Sequence, residues 1–499
     1  MPGDATTRRH LLRRGCAPRA PVGGPFAQPG VAAMSDLRAL RVGLVSVVTL
    51  VAFESLAVIT ILPKIEDDLG GVAWYGWVTT SFFLGTMIGI VYAGIEADRR
   101  GAGRPYLGGL VLFALGLLAG GLAPSMPILV LARFVQGFGA GVAPSIGYVA
   151  IGRSFPEDER PRMFAILSTA WVVPGLVGPL LAERVAEGIG WRWVFLGLLP
   201  LVAVAGSLVM PSMLRLGPLD VAEPVAPVPW HRRRMLEAAR VAGGAALVVA
   251  SFSASRWLLV PGIAAGVTLG IGPLIRLTPP GTLRARAGLP AVILSRGAVT
   301  FAFFGTDTFV PYALTDGRGR SGLAGSVAVT AATLAWTAGS WCQDRWISRT
   351  GERRFVRTGF AVMAPAILLV AAAALPDRLP FWLIHVGWAL GGLGMGLAYA
   401  AHSQLTLRCA PANEYGAATA SLQLLDNLGI ALGTGATGVI VTLGDDLGWP
   451  AGDAVAVALL VPAALAAAGL VLSWRLPGRR DETVATAGAV HGSTRSAAS

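Results

Sequence analysis

Two sets of six apolar runs, each long enough to cross a bilayer, limit this chain more than any other feature. The first set covers roughly 41–63, 74–95, 105–123, 127–151, 164–187 and 193–214; the second covers 289–314, 321–343, 355–375, 380–404, 416–443 and 452–474. A hydrocarbon core of about 30 Å needs about 20 apolar residues at about 1.5 Å per residue. Between the sets, a polar segment at 216–234 leads into two shorter apolar runs near 238–254 and 257–276. Only 14% of the chain is charged, against about 25% in a soluble domain. These runs predict an all-α integral membrane protein of fourteen helices, arranged as six, two and six.

The net charge of +12 would suggest nucleic acid as a partner in a soluble protein, but its distribution here argues otherwise. Short cytoplasmic loops collect arginine and lysine. With the N-terminus inside, the inner loops hold Arg99, Arg100 and Arg104; Arg153, Arg160 and Arg162; Arg232 to Arg234; Arg284 and Arg286; Arg345 to Arg357; and Arg475 to Arg480. The outer loops carry a scatter that includes Lys64, the only lysine. The bias keeps its sign across the middle segment, so that segment crosses an even number of times. Two crossings satisfy this, and so does a hairpin that only dips into the membrane. The expected organisation is a disordered cytoplasmic tail (1–40), a six-helix bundle (41–215), a cytoplasmic linker (216–237), two extra helices (238–277), a second bundle (289–475) and a second disordered cytoplasmic tail (476–499). "TRRHLLR" near the start is followed by no apolar stretch of signal-peptide length, and Met34 is an alternative start. Cys16, Cys342 and Cys409 show no paired spacing, which predicts isolated thiols and no zinc.

Within the first apolar run, "LVAFESLAVITILP", stands Glu54. A charge at the centre of a membrane helix costs about 2.5–3.5 kcal/mol even on the lenient insertion scale, which makes such a residue functional by default. The second set opens in a similar way, with Asp307 followed by Pro311 where the first has Glu54 followed by Pro63. The second run of each set ends in an acid–arginine loop, "EADRRGAGR" and "CQDRWISRTGERR". Parallel repeats of this kind characterise secondary transporters whose site lies between the halves near the bilayer midplane.

"GIEADRRGAGR" contains Gly94, Asp98, Arg99, Gly101 and Arg104 in the spacing GxxxDRxGxxR. An acid at a helix C-terminus opposes the macrodipole, so Asp98 needs a cationic or backbone partner, and such a pair can form or break as helices slide. This loop resembles the signature of the major facilitator superfamily. "LARFVQGFGAG" (131–141) resembles that family's fourth-helix motif, "VVPGLVGPLLA" (172–182) its antiporter motif, and "GWRWVF" (190–195) the start of its sixth helix. The fourteen-span layout resembles the drug:proton antiporter branch. Departures are Leu181 and Ala182 in place of a glycine pair, Ser340 in a degenerate second loop containing Asp344 and Arg345, and Glu54 where the branch carries aspartate. "LGTMIG" (84–89) and "LGIALG" (428–433) read as faces for close helix approach, and Gly175, Gly178 and Pro179 as a kink that serves gating.

By helical rise, Glu54 lies about 14 Å below the outer end of its helix, and Arg133 and Asp307 about 10 Å below theirs. The resemblance implies proton coupling through Arg133, and its reach makes Glu54 its expected partner, with Asp307 facing the same cavity. Asp426 and Asn427, nearer midplane, are the candidates for substrate contact, together with Gln136 in the fourth-helix motif. Arg296 is expected to snorkel to the inner surface, and His385 and His402 are given no role. The expectation is a proton-coupled exporter of drug-like or amphiphilic small molecules, working as a monomer without cofactor or metal in a bacterial plasma membrane. The alternative is a carrier of one endogenous metabolite. No HExxH, GxSxG or P-loop pattern points to an enzyme.

Overall fold

The computed structural model describes residues 31–70, 75–156, 158–170, 172–216, 228–252, 256–320, 322–375, 378–411 and 414–478. Most of both expected tails and the centre of the linker lie outside these residues. In hydrocarbon every backbone N–H and C=O must be satisfied within its own segment, and the described residues accordingly form helices. The N-terminal bundle comprises α1 (Val31–Leu69), α2 (Tyr75–Arg100), α3 (Gly103–Gly121), α4 (Met126–Ser154), α5 (Arg160–Thr169), α6 (Val172–Gly188), α7 (Arg192–Leu196) and α8 (Leu198–Arg215). A hairpin follows, α9 (Val228–Phe252) and α10 (Arg256–Leu277). The C-terminal bundle comprises α11 (Leu289–Asp307), α12 (Val310–Thr315), α13 (Gly322–Thr350), α14 (Glu352–Ala374), α15 (Trp382–Cys409), α16 (Tyr415–Asp446), α17 (Ala451–Ala458) and α18 (Leu460–Leu472). Nine helical stretches among the described residues are long and apolar enough to cross a membrane. Helix α1 starts at Val31 and α9 at Val228, so the tail expected to reach 40 and the linker expected to reach 237 both end in helix.

Counting broken helices as single elements gives six, two and six. The four breaks share a cause. They fall at Ala170, Leu196, Asp307 and Ala458, each four residues before a proline: Pro174, Pro200, Pro311 and Pro462. Proline has no N–H for the carbonyl four residues back and its ring crowds that carbonyl, so the ladder parts there. The kink expected at Pro179 therefore lies upstream of it, and α6 runs unbroken through that residue.

Each bundle has its own apolar core. One gathers Leu44, Ile61, Tyr106, Phe113, Phe195 and their neighbours; the other gathers Val299, Phe303, Phe360, Trp388 and theirs. Between apolar helices in lipid, association depends on close packing rather than on expulsion of water, and glycine makes the approach possible. Added Cβ atoms at Gly85 and Gly89 would stand 2.1 Å from the carbonyl oxygens of Phe134 and Phe138, and one at Gly137 would stand 2.0 Å from that of Phe82. In the second bundle, Gly429 and Gly433 approach Gly297 O and Phe301 O in the same way. Both stretches read as close-packing faces from the sequence thus serve that purpose. Gly175 is different: it is exposed, with open space where its Cβ would be.

The bundles meet at the arginine-rich end. A Cβ at Gly94 of α2 would lie 2.6 Å from Gly416 O and from Ala420 Cβ of α16. Gln423 Nε2 donates to Ser145 Oγ at 2.8 Å, and Trp341 Nε1 to Thr169 Oγ1 at 3.1 Å, both across the two bundles. At the opposite end Lys64 Nζ donates to Glu183 at 2.6 Å, tying α1 to α6 within the first bundle.

The glycine contacts generate a paired prediction. Gly137→Ala forces a methyl into the Phe82 carbonyl and should cost about 1–3 kcal/mol or more, seen as a clear fall in melting temperature in detergent. Gly108→Ala, on α3 with nothing within 4 Å, should be neutral or stabilising by up to about 1 kcal/mol through helix propensity. Equal shifts for the two would show that close approach is not what the first glycine provides.

Candidate functional site

Glu54, Arg133 and Gln136 come together in the middle of the first bundle, with relative exposures of 0%, 2% and 0%. The approach of α4 to α3 fixes Gln136, since a Cβ at Gly116 would lie 2.4 Å from the Gln136 Cβ. Arg133 Nη1 donates to Glu54 Oε1 and, at 2.7 Å, to Gln136 Oε1. Its Nε donates to the Val78 carbonyl at 3.3 Å, and its guanidinium sits 4.3 Å from the centre of the Phe82 ring. The expected ion pair between α1 and α4 is therefore present, and α2 contributes to holding the cation. Two polar atoms of this cluster are buried without a hydrogen-bond partner, Glu54 Oε2 and Gln136 Nε2. The Arg133 contact thus falls on one oxygen of the Glu54 carboxylate, and the other makes no hydrogen bond of ordinary geometry.

The second bundle has its own ion pair, and this one is saturated. Arg296 Nε donates to Asp426 Oδ1 at 2.7 Å and Nη2 to Oδ2 at 3.4 Å, while Nη1 donates to the Tyr399 carbonyl at 2.6 Å. Tyr399 Oη donates to Asp426 Oδ2 at 3.0 Å, and the Arg296 guanidinium lies over the Tyr399 ring at 3.1 Å. Arg296 is 1% exposed, which corrects the expectation that it snorkels to the surface: it holds α11, α15 and α16 together. Asp426, read from the sequence as a substrate contact, has both oxygens occupied by the protein. Asn427 Nδ2 donates to the carbonyl of Gln423 on its own helix. Beside this cluster His402, 0% exposed, pairs through Nε2 with Ser295 Oγ at 2.9 Å, a structural contact.

Asp307 stands apart from both pairs. It is the last residue of α11, where Pro311 breaks the ladder, and its Oδ1 accepts from Trp388 Nε1 at 2.7 Å. Trp388 is fully buried and stacks on Phe303 with ring centres 4.8 Å apart. Neither Glu54 nor Arg133 is among the partners found for Asp307 within the described residues.

In the signature loop Gly101 has φ +78°, the left-handed region that favours glycine. Arg99 and Arg100 pair with Glu96, at 3.2 and 3.1 Å. Glu96 was not singled out from the sequence, although an acid three and four residues before two arginines on a helix is a readable signal. The Asp98 side chain lies outside the described residues, as does that of Pro179; Arg104 is exposed. Gly178 faces Phe53 of α1 at ordinary contact distance, 3.4 Å. Asp344 is half-buried within the field of Arg162 from the other bundle, and Arg345 is exposed. Cys342 is a free thiol.

The saturated pair makes a prediction that a static role demands. Arg296→Met leaves Asp426 buried without a counter-charge and should cost about 3–5 kcal/mol, lowering membrane abundance and thermal stability. Combining it with Asp426→Leu should recover most of that loss, measured as melting temperature in detergent. A double variant no more stable than the single one would reject the lock.

The family model of the major facilitator superfamily matches residues 44–291 and 292–496. A probable multidrug-efflux transporter of Mycobacterium tuberculosis is 27% identical over 465 residues, covering 87% of this chain and 93% of the relative. The multidrug transporter protein MdtP of Bacillus subtilis is 23% identical over 419 residues, covering 81% and 75%. Among solved structures, the human organic anion transporter MFSD10 superposes with a TM-score of 0.63 at 15% identity, over 86% of this chain and 99% of that one. A bacterial homologue of the iron transporter ferroportin, in an outward-facing state, gives 0.63 at 13% identity over 88% and 98%. Two bundles, a buried acid–arginine pair and a family match along nearly the whole chain lead to one conclusion: this multi-pass membrane protein is a transporter belonging to the major facilitator superfamily.

Proposed function

We propose that the chain is a proton-coupled antiporter that exports drug-like or amphiphilic small molecules across a bacterial plasma membrane, with both termini in the cytoplasm. The observation that carries this reading is the unpartnered Glu54 Oε2 beside Arg133. Burial disfavours a charged carboxylate and a neighbouring arginine favours it, so changes in water access or in the Glu54–Arg133 distance move a proton on or off. Arg133 keeps Gln136, the Val78 carbonyl and the Phe82 ring when that proton binds. These contacts offset part of the cost of leaving the Arg133 cation without its counter-charge.

Alternating access follows from two bundles closed at one end. With the arginine-rich end cytoplasmic, the contacts at Gly94, Gln423 and Trp341 close the inner end, and in this scheme it is from the outer side that water and a proton reach the buried Glu54. Rocking then opens the inner end, where the proton leaves and cargo binds. Each proton moved across the potential supplies about 2.3 kcal/mol per 100 mV. Asp307, held by an indole N–H, is the second proton site in this scheme. Gln136 Nε2, buried without a hydrogen bond of ordinary geometry, is the donor offered to cargo, whereas Asp426 stays locked by Arg296 and Tyr399. The names of the relatives support multidrug export as the activity.

Glu54→Gln keeps size and a hydrogen bond to Arg133 but cannot ionise. It should insert normally yet lose drug-driven proton flux in proteoliposomes by about 100-fold or more, the scale of removing a positioned proton-transfer group. Glu54→Asp should retain part of the flux. Unimpaired flux in the glutamine variant would remove Glu54 from the mechanism and leave Asp307 as the carrier.

Orientation is tested separately. In a chain with its native cysteines replaced, Asp316→Cys in the α12–α13 turn should react with an impermeant thiol reagent added outside intact cells. Pro224→Cys in the linker should react only after lysis. Outside labelling of the linker would reverse the assignment of the two faces.

A further inference from the structure

The α9–α10 hairpin lies across the seam between the two bundles. Its own helices are zipped by glycine, with an added Cβ at Gly244 or Gly266 meeting the other's carbonyl at 2.5 Å. Ala238, Val241, Ala242 and Ala245 of α9 share one apolar cluster with Met87, Val91 and Ile95 of α2 and with Leu424 and Leu428 of α16. That cluster joins the N-terminal bundle to the C-terminal one next to Gly94, where α2 and α16 touch. A void of about 10 Å³ remains at the junction, lined by Val91, Gly94, Leu277, Ala420 and Ser421.

The hairpin is attached to the two bundles by different chemistry. On the C-terminal side Ser421 Oγ shares its proton between the Leu277 carbonyl at 3.0 Å and Ala417 O of its own helix at 2.8 Å, and Leu274 packs on a cluster of Ile293, Leu422 and Leu425. The connector after α10 is pinned as well. Arg475 Nη1 donates to the carbonyls of Arg284 and Ala285 at 3.3 and 3.0 Å, and Gly288 N–H donates to the Arg475 carbonyl. At the hairpin base Arg276 and Arg233 donate to Glu237 at 2.6 and 3.3 Å, and Glu237 is only 5% exposed. Toward α2 the contact is made by small and branched apolar side chains. Apolar packing in lipid carries no hydrophobic penalty for separation, and since the connector after α10 is pinned to the C-terminal bundle, the α2 face is the side that can release.

We propose that the hairpin is a buttress carried by the C-terminal bundle: it docks on α2 when the arginine-rich end is closed, and leaves α2 when that end opens. It thereby weights the transporter toward the conformation closed at this end. The proposal rests on the rocking of two halves described above.

Spin-label distances in a cysteine-free background separate the two ideas. Asp158→Cys reports on the N-terminal bundle, Arg349→Cys on the C-terminal bundle and Arg240→Cys on the hairpin; all three residues are exposed. The inner end is opened either by Gly94→Val, which drives a side chain into Gly416 O, or in the unsubstituted chain by a change from alkaline to acidic buffer. The expected result is that 158–349 and 158–240 lengthen together while 240–349 stays fixed. If 158–349 lengthens with 158–240 fixed, the hairpin travels with the N-terminal bundle and the buttress is wrong while rocking stands. If 158–349 never changes, the rocking reading fails and takes the buttress with it. Ala242→Leu should by itself lower the closed population about tenfold by overfilling the docking face. Val267→Leu, on the 48% exposed side of α10, should not. Equal effects of the two, or none, would also overturn the proposal.

Discussion

A hydrocarbon interior offers no partner to a polar group, and the rest of this architecture follows from that. The backbone must close its own ladder, so the described chain is helical and its breaks occur where proline withholds a donor. Helices gain little from leaving lipid, so they are held by contact at backbone distance, which only glycine allows at positions such as Gly89 and Gly137. A charge survives there only inside a constellation that supplies several hydrogen bonds. Arg133 and Arg296 each sit in one.

The two constellations differ in a way that suits different tasks. Arg296 and Asp426 satisfy each other with help from Tyr399, and a buried pair so completed acts as a rivet among α11, α15 and α16. Arg133 instead divides its donors among a carboxylate, an amide, a carbonyl and a ring, while Glu54 keeps one oxygen without a partner. The bundles share a layout, yet one carries a completed pair and the other an unfinished one. Helices α2 and α4 are joined along a glycine seam, so the seat of Arg133 moves as one body. Glu54 belongs to α1, which packs on α6 and α8. The ion pair therefore spans a boundary between packed units, where a small displacement has the greatest effect on its length.

Much of this was legible in the sequence because lipid imposes simple rules. Runs of about 20 apolar residues, arginine alternation and a lone acid in an apolar helix gave the helices, the two halves and the pairing of Glu54 with Arg133. Arg296 was misread because a linear position near a helix end does not reveal which way a long side chain runs, and the acid that claims it is 130 residues away. Asp307 was read together with Pro311 but inside one continuous helix, and its indole partner was hidden, since nothing about Trp388 in isolation distinguishes a core tryptophan from a donor to a carboxylate. The tie of the hairpin to both bundles was invisible for the same reason: Ala238 and Ala242 look like ordinary lipid-facing residues until α2 is placed beside them.

The seat of Arg133 has one more consequence. Because α2 and α4 build it, and α1 approaches it from outside that seam, the reach of the acid decides how far α1 can move before the pair parts. Glutamate reaches one methylene further than aspartate, so from its place on α1 Glu54 can follow Arg133 over a longer excursion than an aspartate could. Exchanging one acid for the other would change the reach of the pair while leaving the seat of the arginine undisturbed.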